Sequence, residues 1–352
     1  MDTYAVPVDH EHVQIRPGRR TGLPIMIAVH STILGPAIGG LRIKHYENMS
    51  DGLADVLRLS QAMTLKAAAI DNGTGGGKAV VPLPTDLVLT SALKEAILLD
   101  VADFVHSLDG TYYAAPDVGT GPADIDIIHR RTPYVGGYSK EAGGAGGTTF
   151  GTFVGVDQAI RSAIKIVFGR DTVSGLSIVI IGLGGIGTLL AEIFAKEGAE
   201  LSVTDINPER KDLADKLGAR WMSPEETLVS QCDIFVPCAL GGILNKESVG
   251  DIKARLICGA ANNQLASDDI AAELTRRGIV YVPDFIANTG GLMYATAVEL
   301  RHYSEAAAAE HTKSSIDRNV RELLERAEKL GMTTNAAAIE IAENRLRAAA
   351  LR

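Results

Sequence analysis

The stretch IVIIGLGGIGTLLAEIFAKEG, residues 178–198, decides the fold of the C-terminal half of the chain. An apolar strand leads into Gly182, Gly184 and Gly187, which have the spacing G-x-G-x-x-G, and a helical pattern follows at once. The first glycine permits a tight turn, the second lets the backbone approach a pyrophosphate, and the third lets helix and strand pack closely. Because the helix N-terminus then faces the phosphates, the stretch predicts a dinucleotide site. A turn with a purely structural role is the alternative.

An acidic residue in the next predicted strand indicates which dinucleotide binds. ELSVTD ends at Asp205, 23 residues after Gly182. A carboxylate at this place accepts hydrogen bonds from a ribose 2′-hydroxyl and repels a 2′-phosphate, so the sequence favours NAD over NADP, although Arg210 nearby softens that preference. The candidate cofactor residues of this region are Gly182, Gly184, Gly185, Ile186, Gly187 and Asp205.

The order of the predicted elements indicates an α/β protein with two domains. Helices and short apolar strands alternate from Thr148 onward, which is typical of a doubly wound, Rossmann-type parallel sheet. We predict an N-terminal α/β substrate-binding and catalytic domain over residues 1–140 and a dinucleotide-binding domain over 148–290. C-terminal helices over 291–352 would pack back across the junction. The glycine-rich stretch 136–147 is typical of a hinge.

The N-terminal half begins with two predicted strands, HVQIRP (12–17) and LPIMIAVH (23–30). A helix is predicted from Asp51 to about Ile70, with Ser50 as its N-cap, and a strand AVVPL follows the glycine run.

Composition excludes several classes of protein. The 352 residues are 46% hydrophobic and 22% charged, with a net charge of −9 and a pI near 5.4, which argues against a nucleic-acid or anionic-membrane surface. The N-terminus lacks the apolar run of a signal peptide and no stretch is apolar enough to span a membrane, so a cytoplasmic location is expected. Cys232, Cys238 and Cys258 lack metal-site spacing and are interpreted as buried reduced thiols; no metal is predicted.

The stretch AAAIDNGTGGGKAVV, residues 67–81, surrounds Lys78 with residues that have small side chains or none. It does not fit the phosphate-binding P-loop, because Ala79 stands where that loop needs a hydroxyl. Glycines around an ammonium let backbone and substrate come close and limit water, which lowers the pKa of a lysine toward about 7 to 8. Lys66 is the candidate second cation, which would lower it further. Two solvent-facing lysines are the alternative.

Asp117 follows a predicted strand, between Pro116 and Val118. Taken alone, an aspartate in such a loop is typical of a turn.

Nine stretches together resemble the glutamate/leucine/phenylalanine/valine dehydrogenase family, NAD(P)-dependent oxidative deaminases of L-amino acids. They stand in family order over roughly residues 30–300: LGPAIGGLR (34–42), AMTLKAA (62–68), GGGK (75–78), PDVGT (116–120), GGAG (143–146), GLGGIG (182–187), PCALGGILN (237–245), GAANNQL (259–265) and PDFIANTGG (283–291).

The resemblance implies roles for residues of the substrate domain. Lys66 and the backbone N–H of Gly40, next to Gly39, would bind the substrate α-carboxylate, and Lys78 would be the general acid/base. Asp117 would hold the substrate amino group and exchange protons with Lys78.

The resemblance implies further roles in the dinucleotide domain. Asn262 and Asn288 would position substrate and nicotinamide, Thr152 would contact the carboxamide, and Cys238 and Ala239 would line the cofactor groove. From the sequence alone, Asn262 is equally well a turn residue.

The implied reaction is reversible oxidative deamination. Hydride passes from the amino-acid Cα to C4 of NAD⁺, and water activated by Lys78 hydrolyses the imine to a 2-oxo acid and ammonia. Domain closure about residues 136–147 would exclude water during hydride transfer. The partners are these small molecules and, since the family is usually oligomeric, further copies of the chain.

Four positions that match the family's side-chain pocket predict a hydrophobic substrate. Glutamate members carry a lysine where this chain has Ile38, and burying a γ-carboxylate without it is costly. Ala115 and Ala295 are small, which favours phenylalanine or another aromatic substrate, whereas Leu292 keeps leucine and valine open. One methylene changes discrimination by only about 1–3 kcal/mol.

Three departures from the family pattern affect this region. Gly73 stands in place of a usual proline and would loosen the Lys78 loop, whereas Leu41 and Thr289 would reshape the pocket.

Two other classes remain as alternatives. A non-catalytic NAD-sensing regulator would need a DNA-binding helix pair and a basic surface, which the composition does not support. A family member retained only for assembly is disfavoured by the presence of Lys66, Lys78 and Asp117.

Overall fold

The structure, a computed structural model, describes residues 9–351. Residues 1–8, on which part of the leader and domain predictions rest, and Arg352 lie outside the described residues. The chain divides into two units. The first contains the chain up to Gly147, Ala295–Tyr303 and the chain from Ala342, and the second contains Thr148–Tyr294 and Ser304–Ile341.

A five-stranded mixed sheet forms the centre of the first unit, in the order β1-β2-β4-β3-β5. Strands β1 and β2 are antiparallel to their neighbours, whereas β3 runs parallel to both β4 and β5. The elements of this unit are β1 (His12–Pro17), β2 (Pro24–Ser31), β3 (Ala37–His45), α1 (Met49–Ala69), β4 (Gly75–Leu83), α2 (Ser91–His106), β5 (Tyr112–Pro116) and α3 (Pro122–His129).

The two faces of this sheet pack against different helices. Side chains of a strand point alternately to opposite faces. Ala79 and Val81 of β4 join the core formed with α2 and α3, whereas Val80 joins the cluster formed with α1. By the same alternation Lys78 lies on the α1 face. In β3, the side chain of Leu41 belongs to the α2 core. Because side chains alternate along a strand, the even-numbered residues of β3 lie on the opposite face, which is the face of Lys78.

Some predictions for this half were wrong in detail. The N-cap of α1 is Asn48, not Ser50, because the Asn48 side chain accepts the backbone N–H of Asp51 at 3.1 Å. The glycine run is not a loop before a strand, since β4 begins at Gly75. Strand β3 and helix α3 were not predicted. The glycine pair inside β3 weakens the strand signal, although the apolar Leu41 and Ile43 alternate with polar residues.

The second unit contains a six-stranded parallel sheet in the order β11-β10-β9-β6-β7-β8. This confirms the predicted doubly wound fold. Its elements are α4 (Thr149–Phe168), β6 (Ser177–Ile181), α5 (Gly185–Lys196), β7 (Glu200–Thr204), α6 (Lys211–Lys216), β8 (Arg220–Trp221), α7 (Pro224–Val229), β9 (Ile234–Pro237), β10 (Leu256–Ile257), α8 (Asp268–Arg276), β11 (Val280–Tyr281) and α9 (Asp284–Ala287).

The chain order of this sheet reverses between β6 and β9, from which connections lead to opposite edges. Ligands of open α/β sheets bind outside the carboxyl ends of the strands at such a switch point. A capping box of Ser223 and Glu226 begins α7.

Three helices complete the chain: α10 (Gly290–Glu299), α11 (Glu305–Leu330) and α12 (Thr334–Ala350). Ser304 caps α11 through the N–H of Ala307, and Gly331 ends it in the left-handed conformation at φ +62°. Within residues 9–351, no helix combines the length and apolar character needed to cross a membrane.

Candidate active site

Lys78 and Asp117 form a buried ion pair in the first unit. Lys78 is 5% exposed, and its Nζ lies 2.9 Å from Oδ2 of Asp117. Lys78 lies on β4, and Asp117 lies in the loop after β5. Strands β4 and β5 are the two neighbours of β3 in the sheet. The structure therefore brings together the predicted acid/base and its predicted partner.

The glycines around Lys78 are explained by how closely the backbone packs there. A Cβ on Gly39 would lie 1.7 Å from the carbonyl oxygen of Gly77, and a Cβ on Gly77 would lie 2.7 Å from the ring of Tyr112. At Gly40, a Cβ would lie 2.6 Å from Cβ of Asp117 and 3.0 Å from Nζ of Lys78. The glycines thus let two strands close around the ion pair, and Gly40 borders it directly.

The loop that carries Asp117 is held in place by two residues of the PDVGT stretch. Oγ1 of Thr120 accepts the backbone N–H of Asp117 at 2.9 Å and donates to the carbonyl of Leu41 at 2.8 Å. Gly119 has φ +82°, and a Cβ there would lie 2.0 Å from the carbonyl oxygen of Ile43. Asp117 begins a turn, since the N–H of Thr120 donates to its carbonyl at 2.9 Å, and its side chain also contacts Lys78.

Arg42 is a further component of this cluster, and the sequence interpretation missed it. Its Nε lies 2.8 Å from Oδ2 of Asp117, the oxygen that also contacts Lys78, and its Nη1 lies 2.7 Å from Oδ2 of Asp55 on α1. The signal was available: Arg42 is two residues after Gly40, so a strand over GGLR places both on one face.

These contacts shift the proton affinities of the cluster. Burial lowers the pKa of Lys78; Asp117 opposes this effect, and the charge of Arg42 adds to it. Burial alone would raise the pKa of Asp117, but Lys78 and Arg42 outweigh it and the pKa is lowered. The cluster thus favours an ionised Asp117 beside a lysine that loses its proton more readily than usual.

Lys66 lies half-buried in the last turn of α1. Nη1 of Arg345 on α12 donates to the last carbonyls of this helix, at 3.0 Å from that of Ala68 and 2.7 Å from that of Ala69. The end of α1 is therefore held by the C-terminal helix. The predicted contact of Lys66 with a substrate carboxylate stays a prediction, while the cation that contacts Asp117 beside Lys78 is Arg42.

Two of the predicted pocket residues lie on the strands beside Lys78. Ile38 is 5% exposed and pairs with Gly76, and Ala115 pairs with Gly40 in the β3–β5 ladder. Leu292 and Ala295 lie three residues apart on α10, on neighbouring positions of one helix face. Their place in a side-chain pocket stays a prediction.

Two of the departures from the family pattern, Leu41 and Gly73, lie in the first unit. Leu41 was expected to reshape the pocket, which is wrong, because its side chain lies in the α2 core on the opposite face from Lys78. Gly73 has φ +70°, which a proline ring excludes.

The glycine turn of the second unit has the geometry of a dinucleotide site. Gly182 follows β6 with φ +98°, and a Cβ there would lie 2.8 Å from that of Ala239. Gly184 is the N-cap of α5, whose first residues are Gly185 and Ile186. A Cβ on Gly187 would lie 1.9 Å from the carbonyl oxygen of Gly182, so helix and strand pack as the motif requires.

Asp205 lies directly after β7, beside this turn. Its Oδ2 accepts the N–H of Leu183 at 2.6 Å and its Oδ1 accepts the N–H of Asn207 at 2.8 Å. The carboxylate thus holds the turn, and each oxygen retains a lone pair for a further donor. Arg210 ends a short 3₁₀ turn, Pro208–Arg210, and is exposed.

Cys238 and Ala239 follow β9, on the other side of the switch point. The N–H of Cys238 donates to the carbonyl of Ile181 at 2.8 Å. Burial raises the pKa of the Cys238 thiol to about 12, so the thiol is neutral and contributes packing. Cys232 and Cys258 are buried free thiols, as predicted.

Three polar residues named by the resemblance lie in the same unit. Nδ2 of Asn288 donates to Oδ1 of Asn262 at 2.8 Å and to the carbonyl of Ala260 at 3.2 Å, so the structure brings these asparagines together. Thr152 is buried on α4, and a Cβ on Gly291 would lie 2.6 Å from its Oγ1.

The chemistry of this half fits a dinucleotide. A helix N-terminus that begins with Gly184 and Gly185, a carboxylate after the second strand and amide groups beyond the switch point match a pyrophosphate, a ribose and a carboxamide. Within the described part of the chain, no cluster of three or more His, Cys, Asp or Glu side chains is arranged to hold a metal ion.

Comparison with known proteins identifies the family. The N-terminal family description, Glu/Leu/Phe/Val dehydrogenase, dimerisation domain, matches residues 10–134, and Glutamate/Leucine/Phenylalanine/Valine dehydrogenase matches residues 202–352. Leucine dehydrogenase from Geobacillus stearothermophilus is 37% identical over 347 residues, covering 98% of this chain and 92% of the relative. Phenylalanine dehydrogenase from Caldalkalibacillus thermarum is 36% identical over 344 residues, covering 96% and 91%.

A solved structure agrees with these relatives. The crystal structure of L-tryptophan dehydrogenase from Nostoc punctiforme superposes with a TM-score of 0.83 at 32% identity, over 98% of each chain. The chain therefore belongs to the glutamate/leucine/phenylalanine/valine dehydrogenase family and is an amino-acid dehydrogenase, an oxidoreductase that acts on CH–NH₂ groups.

Proposed function

We propose that this chain catalyses the NAD-dependent, reversible oxidative deamination of a hydrophobic L-amino acid to its 2-oxo acid and ammonia, with phenylalanine or another aromatic substrate favoured. The observation that carries the proposal is the buried pair of Lys78 and Asp117, 2.9 Å apart on a glycine-lined strand. Residues 1–140 bind the substrate, residues 148–290 bind the dinucleotide, and 291–352 bridge back to the first domain.

The substrate-side residues divide the work of binding and proton transfer. Lys66 and the backbone N–H of Gly40 hold the α-carboxylate, and Asp117 receives the amino group. Lys78, whose pKa burial lowers, takes a proton from the attacking water when it is neutral and returns it in the reverse direction. As an ammonium, it stabilises the negative charge that develops on the carbinolamine oxygen. A buried site strengthens each of these contacts because water does not compete for them.

NAD, when bound, supplies the hydride acceptor. Gly182, Gly184, Gly185, Ile186 and Gly187 hold its pyrophosphate, and Asp205 bonds the ribose. The preference for NAD over NADP rests on this carboxylate, which repels a 2′-phosphate.

The remaining cofactor residues act beyond the switch point. Thr152, Asn262 and Asn288 orient the nicotinamide and the substrate, with the two asparagines held to each other. Cys238 and Ala239 form the groove wall.

The substrate preference is supported by apolar positions. Ile38 is buried without a cation at the place where glutamate members carry a lysine, so a γ-carboxylate would be left unpaired. Ala115 and Ala295 leave space for a ring, and the relatives include both phenylalanine and leucine dehydrogenases. The second candidate is therefore a branched-chain substrate, leucine or valine, which Leu292 favours.

A screen of L-amino acids with NAD⁺ and with NADP⁺, followed by NADH absorbance at alkaline pH, tests the proposal. We expect an aromatic amino acid to have the highest kcat/KM, and glutamate to be at least about a thousandfold poorer because its charge would be buried unpaired. A matched pair of lysine variants, Lys78→Met and the exposed Lys246→Met, separates loss of chemistry from general damage. No turnover of any amino acid by the folded protein would favour the NAD-sensing regulator.

The assembly and location are also proposals. A homo-oligomer is supported by the dimerisation-domain description that matches residues 10–134, and light scattering during gel filtration tests it. A cytoplasmic location is supported by three unpaired cysteines, which suit a reducing compartment.

A further inference from the structure

Two cations contact one oxygen at the centre of the candidate active site. Nζ of Lys78 lies 2.9 Å, and Nε of Arg42 lies 2.8 Å, from Oδ2 of Asp117. The two nitrogens therefore lie within about 6 Å of each other, a distance at which one charge shifts the pKa of another by about 1–3 units. Arg42 is 16% exposed and Asp117 is 23% exposed, so solvent screens this interaction only in part.

The ion network continues from Arg42 toward the surface. Nη1 of Arg42 lies 2.7 Å from Oδ2 of Asp55, which also accepts the hydroxyl of Tyr46 at 2.7 Å. The other oxygen of Asp55 contacts Arg58 at 2.7 Å, and Arg58 is 63% exposed. Charges alternate in sign along the row Lys78, Asp117, Arg42, Asp55 and Arg58.

The charge balance of this row depends on Arg42. When Lys78 is neutral, two guanidinium groups face two carboxylates and the row is balanced. If Arg42 lost its charge, Asp117 and Asp55 would both remain ionised near Lys78, and the exposed Arg58 would be the other cation of the row. Lys78 would then retain its proton to a higher pH.

We propose that Arg42 is a positioning residue that shares the Asp117 carboxylate with Lys78, and that this sharing sets the pH range in which the Lys78 amine is free to accept a proton. The inference rests on the proposed function only in giving Lys78 the role of acid/base. A guanidinium suits the task because it stays charged throughout the working pH range. Its planar fork also bonds two carboxylates from different elements, which a single ammonium does less well.

The other ionisable groups around Lys78 do not change the sign of this effect. Tyr112 on β5 is buried, its pKa is raised well above the usual value by burial, and it stays neutral. On β2, His30 contacts Thr64 at 2.8 Å, and burial lowers its pKa, so it is neutral at alkaline pH. Lys66 on α1 is retained in all variants proposed below.

Four variants test the proposal with opposite expected signs. Arg42→Gln removes the charge, Arg42→Lys keeps the charge but not the fork, and Asp55→Asn removes a carboxylate behind Arg42. Arg58→Gln is the matched control, an arginine of the same row that does not contact Asp117. Unfolding temperature and NADH binding by fluorescence establish that each variant is folded.

Two measurements are made on each variant. The first is the pH profile of kcat for deamination of the amino acid identified by the screen. The second is competitive labelling with acetic anhydride as a function of pH, with the Lys78 peptide quantified by mass spectrometry in the absence of substrate and cofactor. Labelling follows the neutral amine directly and does not depend on turnover.

In Arg42→Gln, we expect the midpoint of the kcat profile and the midpoint of Lys78 labelling both to rise by about one pH unit. This is the lower end of the range for a charge at this distance. In Asp55→Asn, both should fall, because a negative charge is removed from the row. Arg42→Lys should keep both midpoints close to those of wild type, at a reduced kcat. Arg58→Gln should shift both midpoints much less than Arg42→Gln does, because Arg58 is 63% exposed and does not contact Asp117.

A uniform loss of kcat at every pH in Arg42→Gln, with an unshifted labelling midpoint, would overturn the proposal. If Arg42→Gln does not fold, the absence of a downward shift in Asp55→Asn overturns it instead. A wild-type protein without turnover refutes the proposed function, whereas the labelling midpoints still decide the role of Arg42.

Discussion

Gly40→Ala is expected to separate Lys78 from Asp117, because the new methyl group would enter space that these two side chains occupy. Its Cβ would lie 2.6 Å from Cβ of Asp117, and 3.0 Å from both Nζ of Lys78 and the carbonyl oxygen of Pro116. Carbon atoms in contact lie about 3.5–4.0 Å apart, so Asp117 must move by about 1 Å. A contact of 2.9 Å between Lys78 and Asp117 does not survive such a displacement in hydrogen-bonding geometry.

The expected magnitudes follow from this displacement. Overpacking of this kind costs about 1–3 kcal/mol of folding free energy, so the unfolding temperature should fall by several degrees. A misplacement of about 1 Å at the reacting groups lowers the rate by about a hundredfold, and kcat should decrease by at least that factor. The KM for NAD⁺ should change little, because the residues proposed to hold the dinucleotide belong to the other unit.

The assay compares kcat, both KM values and thermal unfolding for wild type, Gly40→Ala and Gly250→Ala. Gly250 is the control because a Cβ there meets no atom within 4 Å and its φ is not positive. A folded Gly40→Ala enzyme with kcat within threefold of wild type would refute the steric argument.

Three further predictions follow from other contacts. Asp205→Asn removes the charge that would repel a 2′-phosphate. The preference for NAD⁺ over NADP⁺, measured as the ratio of the two kcat/KM values, should fall by about tenfold or more. An unchanged ratio would contradict the assignment of Asp205 to the ribose. Asp100 has a fully buried side chain that accepts hydrogen bonds from Arg20 and Thr21, and Asp100→Asn should cost about 2–4 kcal/mol in urea unfolding at pH 7. Burial alone would raise the pKa of Asp100, but these partners lower it. The ionised carboxylate therefore stabilises the fold fully above its unfolded pKa of about 3.9. The difference in unfolding free energy between wild type and Asp100→Asn should vanish as the pH falls through the folded pKa. Arg345→Ala removes the side-chain donor that the carbonyls of Ala68 and Ala69 share at the end of α1. It should raise the KM for the amino acid more than that for NAD⁺; equal effects would indicate only general destabilisation.

The dinucleotide half is the part of the fold that the sequence predicts best. Gly182 and Asp205 each directly follow a short strand, and Gly187 lies in the first turn of the helix between those strands. Asp205, whose carboxylate holds the turn, is only 22 residues from Leu183, so a short window of sequence contains most of the information.

The substrate half is predicted less completely because its contacts join distant segments. Arg42 and Asp117 are 75 residues apart in the chain, and nothing local to either indicates the other. The pair Gly39 and Gly40 weakened the sequence signal for strand β3. Without that strand, the alternation of side chains between the two faces of a sheet could not place Gly40, Arg42 and Lys78 on one face. The glycine run indicated Lys78 and the resemblance indicated Asp117, whereas Arg42 required the register of three strands.

The glycine-rich stretch 136–147 shows a similar limit. The composition predicts a flexible hinge, yet both carboxylate oxygens of Glu299 accept backbone N–H groups of this stretch, from Gly137 at 2.7 Å and from Ala145 at 2.9 Å. Glu299 lies 154 residues beyond Ala145 in the chain, so no local pattern indicates the contact. Its action as a hinge stays a prediction.

The pre-steady-state rate of amino-acid deamination by Lys78→Met tests the central claim most directly, because it isolates the chemical step from substrate and product exchange. With saturating amino acid and NAD⁺, and with Lys246→Met as the control, we predict a rate at least about a thousandfold below wild type and an unchanged dissociation constant for NADH. A Lys78→Met enzyme that retains a tenth or more of the wild-type rate would contradict the assignment of this lysine as the acid/base.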